Sequence, residues 1–208
     1  MPEPDRAAFI RHHLAVVGVG DMRLYQAHPG SGLRKLGDVP PYWAYVWAGG
    51  AALARHILGH PDLVRGKRVV DFGAGCGVVA IAAAQAGAQV VAIDPDPWAR
   101  AATVENAALN GVVVQVAEAA AQELPDLVLA GDVFYDATVA AVSVARFDLW
   151  RAQGVRVLIG DPGRADLPRQ GLVRLAEYTV RDMGDSAARP AAVYDYRPGA
   201  LFGGQITG

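Results

Sequence analysis

The sequence predicts an α/β fold: a doubly wound, mostly parallel sheet closed by an antiparallel pair of strands. Three observations lead there. Short apolar runs alternate with Ala-rich helical stretches between Lys67 and Gly160, the pattern of repeated strand–helix–strand units. The runs break at Gly or Asp, the residues expected where the carboxyl end of a parallel strand meets its loop. Beyond Asp166 two apolar runs follow one another without a long helix between them, which suits antiparallel pairing.

The elements follow in order. Asp5 stands at a plausible N-cap, and Phe9, Ile10, Leu14 and Val17 recur at helical spacing, so an amphipathic helix is expected over Asp5–Val17. Met22–Ala27 alternates weakly and reads as a strand, and the Gly- and Pro-rich stretch His28–Pro41 as an irregular connector. A helix is expected near Gly49–Leu58. The regular part then starts, with strand Arg68–Phe72, helix Val78–Gln85, strand Gln89–Ile93 and helix Pro97–Leu109, the last stopped by Asn110-Gly111. Strands Val112–Val116, Asp126–Ala130 and Val155–Gly160 come next, the last two separated by a helix near Ala137–Trp150. After Asp166 one helix and the strands Glu177–Arg181 and Ala192–Tyr196 complete the chain. No repeat or interdomain linker interrupts it, so residues 1–208 read as one domain, with 1–40 an elaboration and 41–197 the core.

Composition narrows the function. Lys and Arg number 19 against 21 Asp and Glu, a net charge of −2 with no basic run, so the electrostatic footprint for nucleic acid or an anionic membrane is missing. The most apolar window, Val78–Ile93, falls short of the roughly 20 residues of a membrane span. The single cysteine, Cys76, cannot build an internal disulfide, and Met1–Gly20 lacks the apolar stretch of a secretion signal, so a cytoplasmic location is expected. The five histidines have no companions at ligand spacing, and no metal is expected.

The chemistry concentrates after the first regular strand. Asp71-Phe-Gly-Ala-Gly-Cys-Gly77 sets three glycines at alternate positions between a strand and a helix, where bare backbone lets a nucleotide-containing ligand approach. The dinucleotide pattern G-x-G-x-x-G/A fails because Val78 stands at its third position, which disfavours NAD and FAD. A carboxylate at Asp71, at the mouth of the loop, would repel a pyrophosphate and attract a cationic ligand such as S-adenosylmethionine. Asp94, ending the second regular strand, is placed to accept both hydroxyls of a ribose.

These motifs resemble the class I, seven-stranded S-adenosylmethionine-dependent methyltransferases over roughly Pro40–Arg197. Pro41-Tyr-Trp-Ala-Tyr-Val-Trp-Ala-Gly-Gly50, Gly131-Asp-Val-Phe-Tyr-Asp136 and Gly160-Asp-Pro-Gly-Arg164 narrow the likeness. They resemble the seven-strand protein-lysine methyltransferases, in particular the branch that modifies the electron-transfer flavoprotein beta subunit. The resemblance implies a Rossmann-like fold and a cofactor set of Trp47, Asp71, Gly73, Ala74, Gly75, Gly77, Asp94 and Ala130. It also implies a substrate-facing role for Asp132 and Tyr135. A carboxylate at Asp132 could hold an incoming lysine ammonium, and the Tyr135 ring could narrow its channel; a helix cap and a core aromatic are the plainer alternatives. Trp43 and Trp47, four residues apart, could share one helix face. Trp47-Ala-Gly-Gly50 leaves room for a close backbone. Asp161-Pro-Gly-Arg164 has the chemistry of a type II turn, with Arg164 free to meet an acidic partner. Glu118 and Glu123 both offer an acidic contact to adenine. Cys76 is expected simply to fit, with a thiol pKa open to lowering by the nearby helix. Two other functions stay open: a small-molecule N-methyltransferase, and a non-enzymatic S-adenosylmethionine-binding protein.

Overall fold

A computed structural model describes residues 5–36, 40–182 and 187–199, apart from the side chain of Lys35. Nine strands and five α-helices are seen among them: α1 (Arg6–His13), β1 (Ala15–Val19), β2 (Met22–Gln26), α2 (Ala48–Gly59), β3 (Arg68–Phe72), α3 (Val78–Gln85), β4 (Gln89–Ile93), α4 (Pro97–Leu109), β5 (Gln115–Ala117), β6 (Leu127–Gly131), α5 (Ala137–Ala152), β7 (Arg156–Asp161), β8 (Leu172–Arg181) and β9 (Ala188–Tyr196).

Seven strands form one sheet in the order β5-β4-β3-β6-β7-β9-β8, and β1 pairs with β2 in a separate hairpin. Strands β3 to β7 run parallel, while β9 lies antiparallel to both β7 and β8. From β3 the chain winds outward through β4 to β5, then returns to the other side of β3 as β6. The loops after β3 and β6 therefore diverge, and a ligand crevice opens at that switch point.

Each parallel strand is apolar on both faces because both are covered. On one side Leu53 and Ile57 of α2 and Val79 and Ile81 of α3 pack with Val69, Leu127, Leu129 and Leu158. On the other, Phe147 and Trp150 of α5 pack with Val70, Val128, Val157 and Ile159. Phe147 is fully buried among the rings of Phe72, Phe134, Trp150 and Tyr196. A third cluster joins Ile10 and Leu14 to Trp43, Ala99 and Ala102, seating the N-terminal segment on α4. Two asparagines complete that seat. The Asn106 side chain accepts from the Tyr25 N–H at 2.7 Å, and Asn110 exchanges two bonds with the Arg23 backbone, so α4 supplies the edge of β2 with amides in place of a strand.

The structure departs from expectation at both ends. Asp5 does cap α1, accepting the Ala8 N–H at 2.9 Å, but the helix stops at His13. Ala15, Val16 and Val17 lie instead in a strand paired with β2, which suits the two β-branched valines. The helix expected after Asp166 is absent, since Gly163, Pro168 and Gly171 break the stretch into turns. The closing strands are correspondingly longer than expected, and the strand placed at Val112–Val116 is Gln115–Ala117.

Candidate active site

The glycine loop is built from three directions. Gly73, Gly75 and Gly77 all have positive φ. A side chain at Gly77 would meet the Thr103 backbone at 3.0 Å, so α4 packs too closely for anything larger. Gly75 is the opposite case: a Cβ there would meet nothing within 4 Å, so the middle of the loop faces open space. Thr103 donates to the Gly75 carbonyl at 3.3 Å and Asn106 to the Cys76 carbonyl at 2.8 Å, so α4 holds the loop from behind. From the front Asp94 accepts the Gly75 N–H at 3.0 Å with one oxygen and the Asp96 N–H at 2.9 Å with the other. Each of those oxygens keeps a further lone pair. Burial raises the Asp94 pKa above the ordinary carboxylate value.

Asp71 lies beneath the loop, not at its mouth. It is 1% exposed and accepts the Ala80 N–H at 2.9 Å. The reason is local: Gly77 is the N-cap of α3 and has no side chain to offer, so a carboxylate from β3 satisfies the orphan donor of the first turn. Burial, with the Asp94 charge adding to it, pushes its pKa up to about 7. Asp71 is thus a loop anchor, and the expectation of a carboxylate at the mouth of the loop is corrected. Ala130 needs a similar correction. It is fully buried in β6, paired with β3 and β7, and has no surface to give a ligand. Ala74 is also buried, which leaves its backbone as the part available to the loop. Burial pushes the Cys76 thiol up to about 12, so the expected option of a lowered value is excluded.

At the end of β6 the geometry overturns the simplest reading of Asp132. Its φ of 56° is the one positive value among the described non-glycine residues, a conformation Asp tolerates better than most. One carboxylate oxygen accepts two bonds from Arg164, at 3.0 and 2.7 Å; the other accepts the Gly50 N–H at 3.0 Å. The side chain is 5% exposed. It caps α2 and pairs with a cation of its own chain, so one oxygen is saturated by Arg164 and the other, buried, is engaged by the Gly50 N–H. Burial nonetheless outweighs Arg164 and pushes its pKa up to about 6.

Arg164 is equally committed. It lies 3.7 Å from Asp182, which caps the first turn of α2 through the Ala48 N–H at 3.0 Å and also pairs with Arg189. Its guanidinium sits 5.4 Å from the centroid of Trp47. Arg164 therefore finds its acidic partners at home and does not reach for another surface. The turn carrying it is closed by the Asp161 side chain, which accepts the Gly163 and Arg164 N–H groups at 2.6 and 2.7 Å. Gly163 has φ +90°, as the expected turn chemistry requires.

The room left by Gly49 and Gly50 is filled by the protein itself. A Cβ on Gly49 would run into the Gly160 carbonyl of β7, and one on Gly131 would lie 2.7 Å from the Gly50 Cα. Helix α2 thus meets the ends of β6 and β7 backbone to backbone.

Trp43 and Trp47 do not share a helix. Trp43 lies in a single 3₁₀ turn, Tyr42–Ala44, and stacks on Trp98 at 5.2 Å, whereas Trp47 is the N-cap residue of α2. The Trp47 indole donates to the Tyr42 carbonyl at 2.9 Å. Tyr42 in turn packs on Tyr135, ring centroids 4.9 Å apart, and on Trp47 at 5.7 Å. Tyr42, Thr103, Asn106 and Asp182 belong to the site's architecture and were not singled out from sequence. Thr103 and Asn106, at i and i+3 on an otherwise Ala-rich helix, were the available signal. The two adenine candidates separate: Glu123 sits 3.7 Å from Arg68 at the amino end of β3, the wrong end of the sheet, while Glu118 directly follows β5. No group of three or more His, Cys, Asp or Glu suited to a metal occurs among the described residues.

Known proteins match this arrangement. The family described as Ribosomal protein L11 methyltransferase (PrmA) matches residues 59–142. In fold the chain resembles a ribosomal protein L11 methylase from Lactobacillus delbrueckii subsp. bulgaricus, with a TM-score of 0.55 over 88% of this chain and 98% of that one at 17% identity. A putative RNA methyltransferase from Pyrococcus horikoshii gives 0.54 over 77% and 91%, at 20% identity. In sequence it is 40% identical over 172 residues to the electron transfer flavoprotein beta subunit lysine methyltransferase of Rattus norvegicus, spanning 76% of this chain and 68% of the relative. The Homo sapiens protein of the same name is 38% identical over 173 residues, spanning 76% and 66%. A chain with this sheet order, this glycine loop and this degree of identity is a methyltransferase, and it belongs to the family of the electron transfer flavoprotein beta subunit lysine methyltransferases.

Proposed function

We propose that this methyltransferase takes S-adenosylmethionine into the crevice between β3 and β6 and methylates a lysine side chain of the electron transfer flavoprotein beta subunit. The observation that carries the reading is Gly75, whose Cβ position opens into free space while its N–H is tied to Asp94. The donor set suits the cofactor. Gly75 presents bare backbone to one wall of the crevice, with Gly73, Ala74 and Gly77 completing the loop that carries it, and the unused lone pairs of Asp94 match two ribose hydroxyls. Glu118, directly after β5 at the carboxyl end of the sheet, is the candidate for the adenine edge.

When bound, the cofactor supplies an electrophilic methyl group on a sulfonium. Everything else the chain contributes is position. Asp71 and Asp94 fix the loop, Asp132 and Arg164 fix the chain after β6, and that segment carries Tyr135 beside the crevice. A lysine with a pKa near 10.4 in water must shed a proton before it can attack, and apolar surroundings favour the neutral amine. Titration calorimetry with S-adenosylmethionine, S-adenosylhomocysteine and NADH tests the cofactor. Transfer of radiolabelled methyl to the purified beta subunit, followed by mass spectrometry of lysine-containing peptides, tests the acceptor. Binding of NADH alone, or label confined to a small metabolite, refutes the proposal.

A further inference from the structure

We infer that the rings of Tyr42 and Tyr135 form the mouth through which the acceptor lysine reaches the crevice, and that Tyr42 sets the affinity for that acceptor. The inference rests on the function proposed above and deepens it.

Exposure is the first ground. Tyr42 and Tyr135 are 43% and 46% exposed, the two exposed aromatic side chains among the described residues, and they come from distant parts of the chain to stand 4.9 Å apart. Leaving two such rings in water forgoes burial that a passing side chain can restore. A lysine suits them: its four methylenes lie well against ring faces, and its cationic head is attracted to them.

Rigidity is the second. The Tyr42 carbonyl accepts the Trp47 indole N–H, the Trp47 ring packs against the Tyr42 ring at 63°, and Trp47 in turn carries the Arg164 guanidinium. The mouth is tied to the cap of α2. On the crevice side, Tyr135 lies near enough to Asp94 for that charge, after burial and Tyr42, to raise its pKa.

Proton chemistry is the third. A free carboxylate beside the acceptor would stabilise the ammonium and keep lysine from attacking. Asp132, on the same segment as Tyr135, already accepts from Arg164 and Gly50, and Asp94 and Asp136, whose charges reach Tyr135, accept backbone N–H groups of their own. A mouth of phenol rings attracts the cation more weakly than a carboxylate would, and the exclusion of water on entry favours loss of its proton.

The test compares Tyr42→Ala, Tyr42→Phe and Tyr42→Glu with the wild-type chain, using the purified beta subunit at saturating S-adenosylmethionine. Tyr42→Ala should raise KM for the protein about tenfold, a scale within reach of one cation–π and stacking contact. Its Kd for S-adenosylhomocysteine by calorimetry should stay within about twofold, and Tyr42→Phe should restore most of the loss. Tyr42→Glu should move the pH profile of kcat toward higher pH, because the new carboxylate holds the lysine protonated; a purely structural role would not shift it. Wild-type KM in Tyr42→Ala, or equal losses in acceptor and cofactor binding, overturns the inference. So does an unmoved profile in Tyr42→Glu. Absence of methyl transfer by the wild-type chain would instead refute the parent proposal, so the two failures are distinguishable.

Discussion

Asp71→Asn should make the ligand-free protein more stable above neutral pH while leaving it nearly unchanged in mild acid. The ordinary carboxyl value of 3.8 rises to about 7 in the fold, chiefly by burial. A folded-state pKa above the unfolded one means that the native chain holds its proton more tightly, so stability falls as pH rises from about 4 to 7. At about 1.36 kcal/mol per pKa unit, the full loss approaches 4 kcal/mol, an upper bound. An amide removes the titration and keeps an oxygen for the Ala80 N–H, but its NH2 needs a partner, which costs about 1–3 kcal/mol if none is found. The net expectation is a gain of about 1–3 kcal/mol at pH 8 that vanishes or reverses slightly near pH 5. Urea unfolding at both pH values reads the difference directly. If variant and wild type give parallel stability profiles from pH 5 to 8, Asp71 is not the strained buried group its geometry indicates.

Asp94→Ala should weaken S-adenosylmethionine binding by about 1.5–3 kcal/mol, the scale of hydrogen bonds to a charged group, and calorimetry on the folded variant measures it. Gly75→Ala has space for its methyl group but a left-handed backbone to maintain, so stability should fall by only about 1–2 kcal/mol while cofactor affinity falls at least about tenfold. Equal binding by wild type and variant would clear the space above the loop of any ligand. Arg164→Met leaves Asp132 and Asp182 buried beside one another, and should cost about 3 kcal/mol at pH 8. The penalty should shrink at pH 5, where Asp132, with its pKa of about 6, accepts a proton instead. Denaturation at the two pH values would contradict this if the penalty were constant.

What the sequence revealed follows the range of the interactions. Arg68–Phe72, Val78–Gln85, Gln89–Ile93 and Pro97–Leu109 are read with their true bounds, because period, caps and breakers there agree with the packing. Residues 15–17 read as the tail of a helix, since the partner that makes them a strand lies across a turn and outbids a weak helical period. The glycine loop and Asp94 are legible because their roles follow from strand ends. Asp132 is the instructive case: its motif is legible, yet the partners that hold it lie 32 residues ahead and 82 residues behind. No local pattern announces a guanidinium arriving from the loop after β7. Tyr42 is hidden for the same reason, a surface tyrosine until Tyr135 is placed beside it.

The capping of α2 also bears on how the chain is made. Its first turn is closed by Asp132 and Asp182, and the Ala48-to-Asp182 bond spans 134 residues. Its glycine face docks on β6 and β7, which are synthesised much later. On the ribosome, α2 therefore emerges without its caps and without the strands its glycine face lies on, and must wait for them through most of translation. Long waits of this kind favour slow folding and expose apolar faces such as Leu53 and Ile57 to other chains. Truncations ending before Asp182 should accordingly be captured by chaperones or aggregate, even though they retain the entire glycine loop.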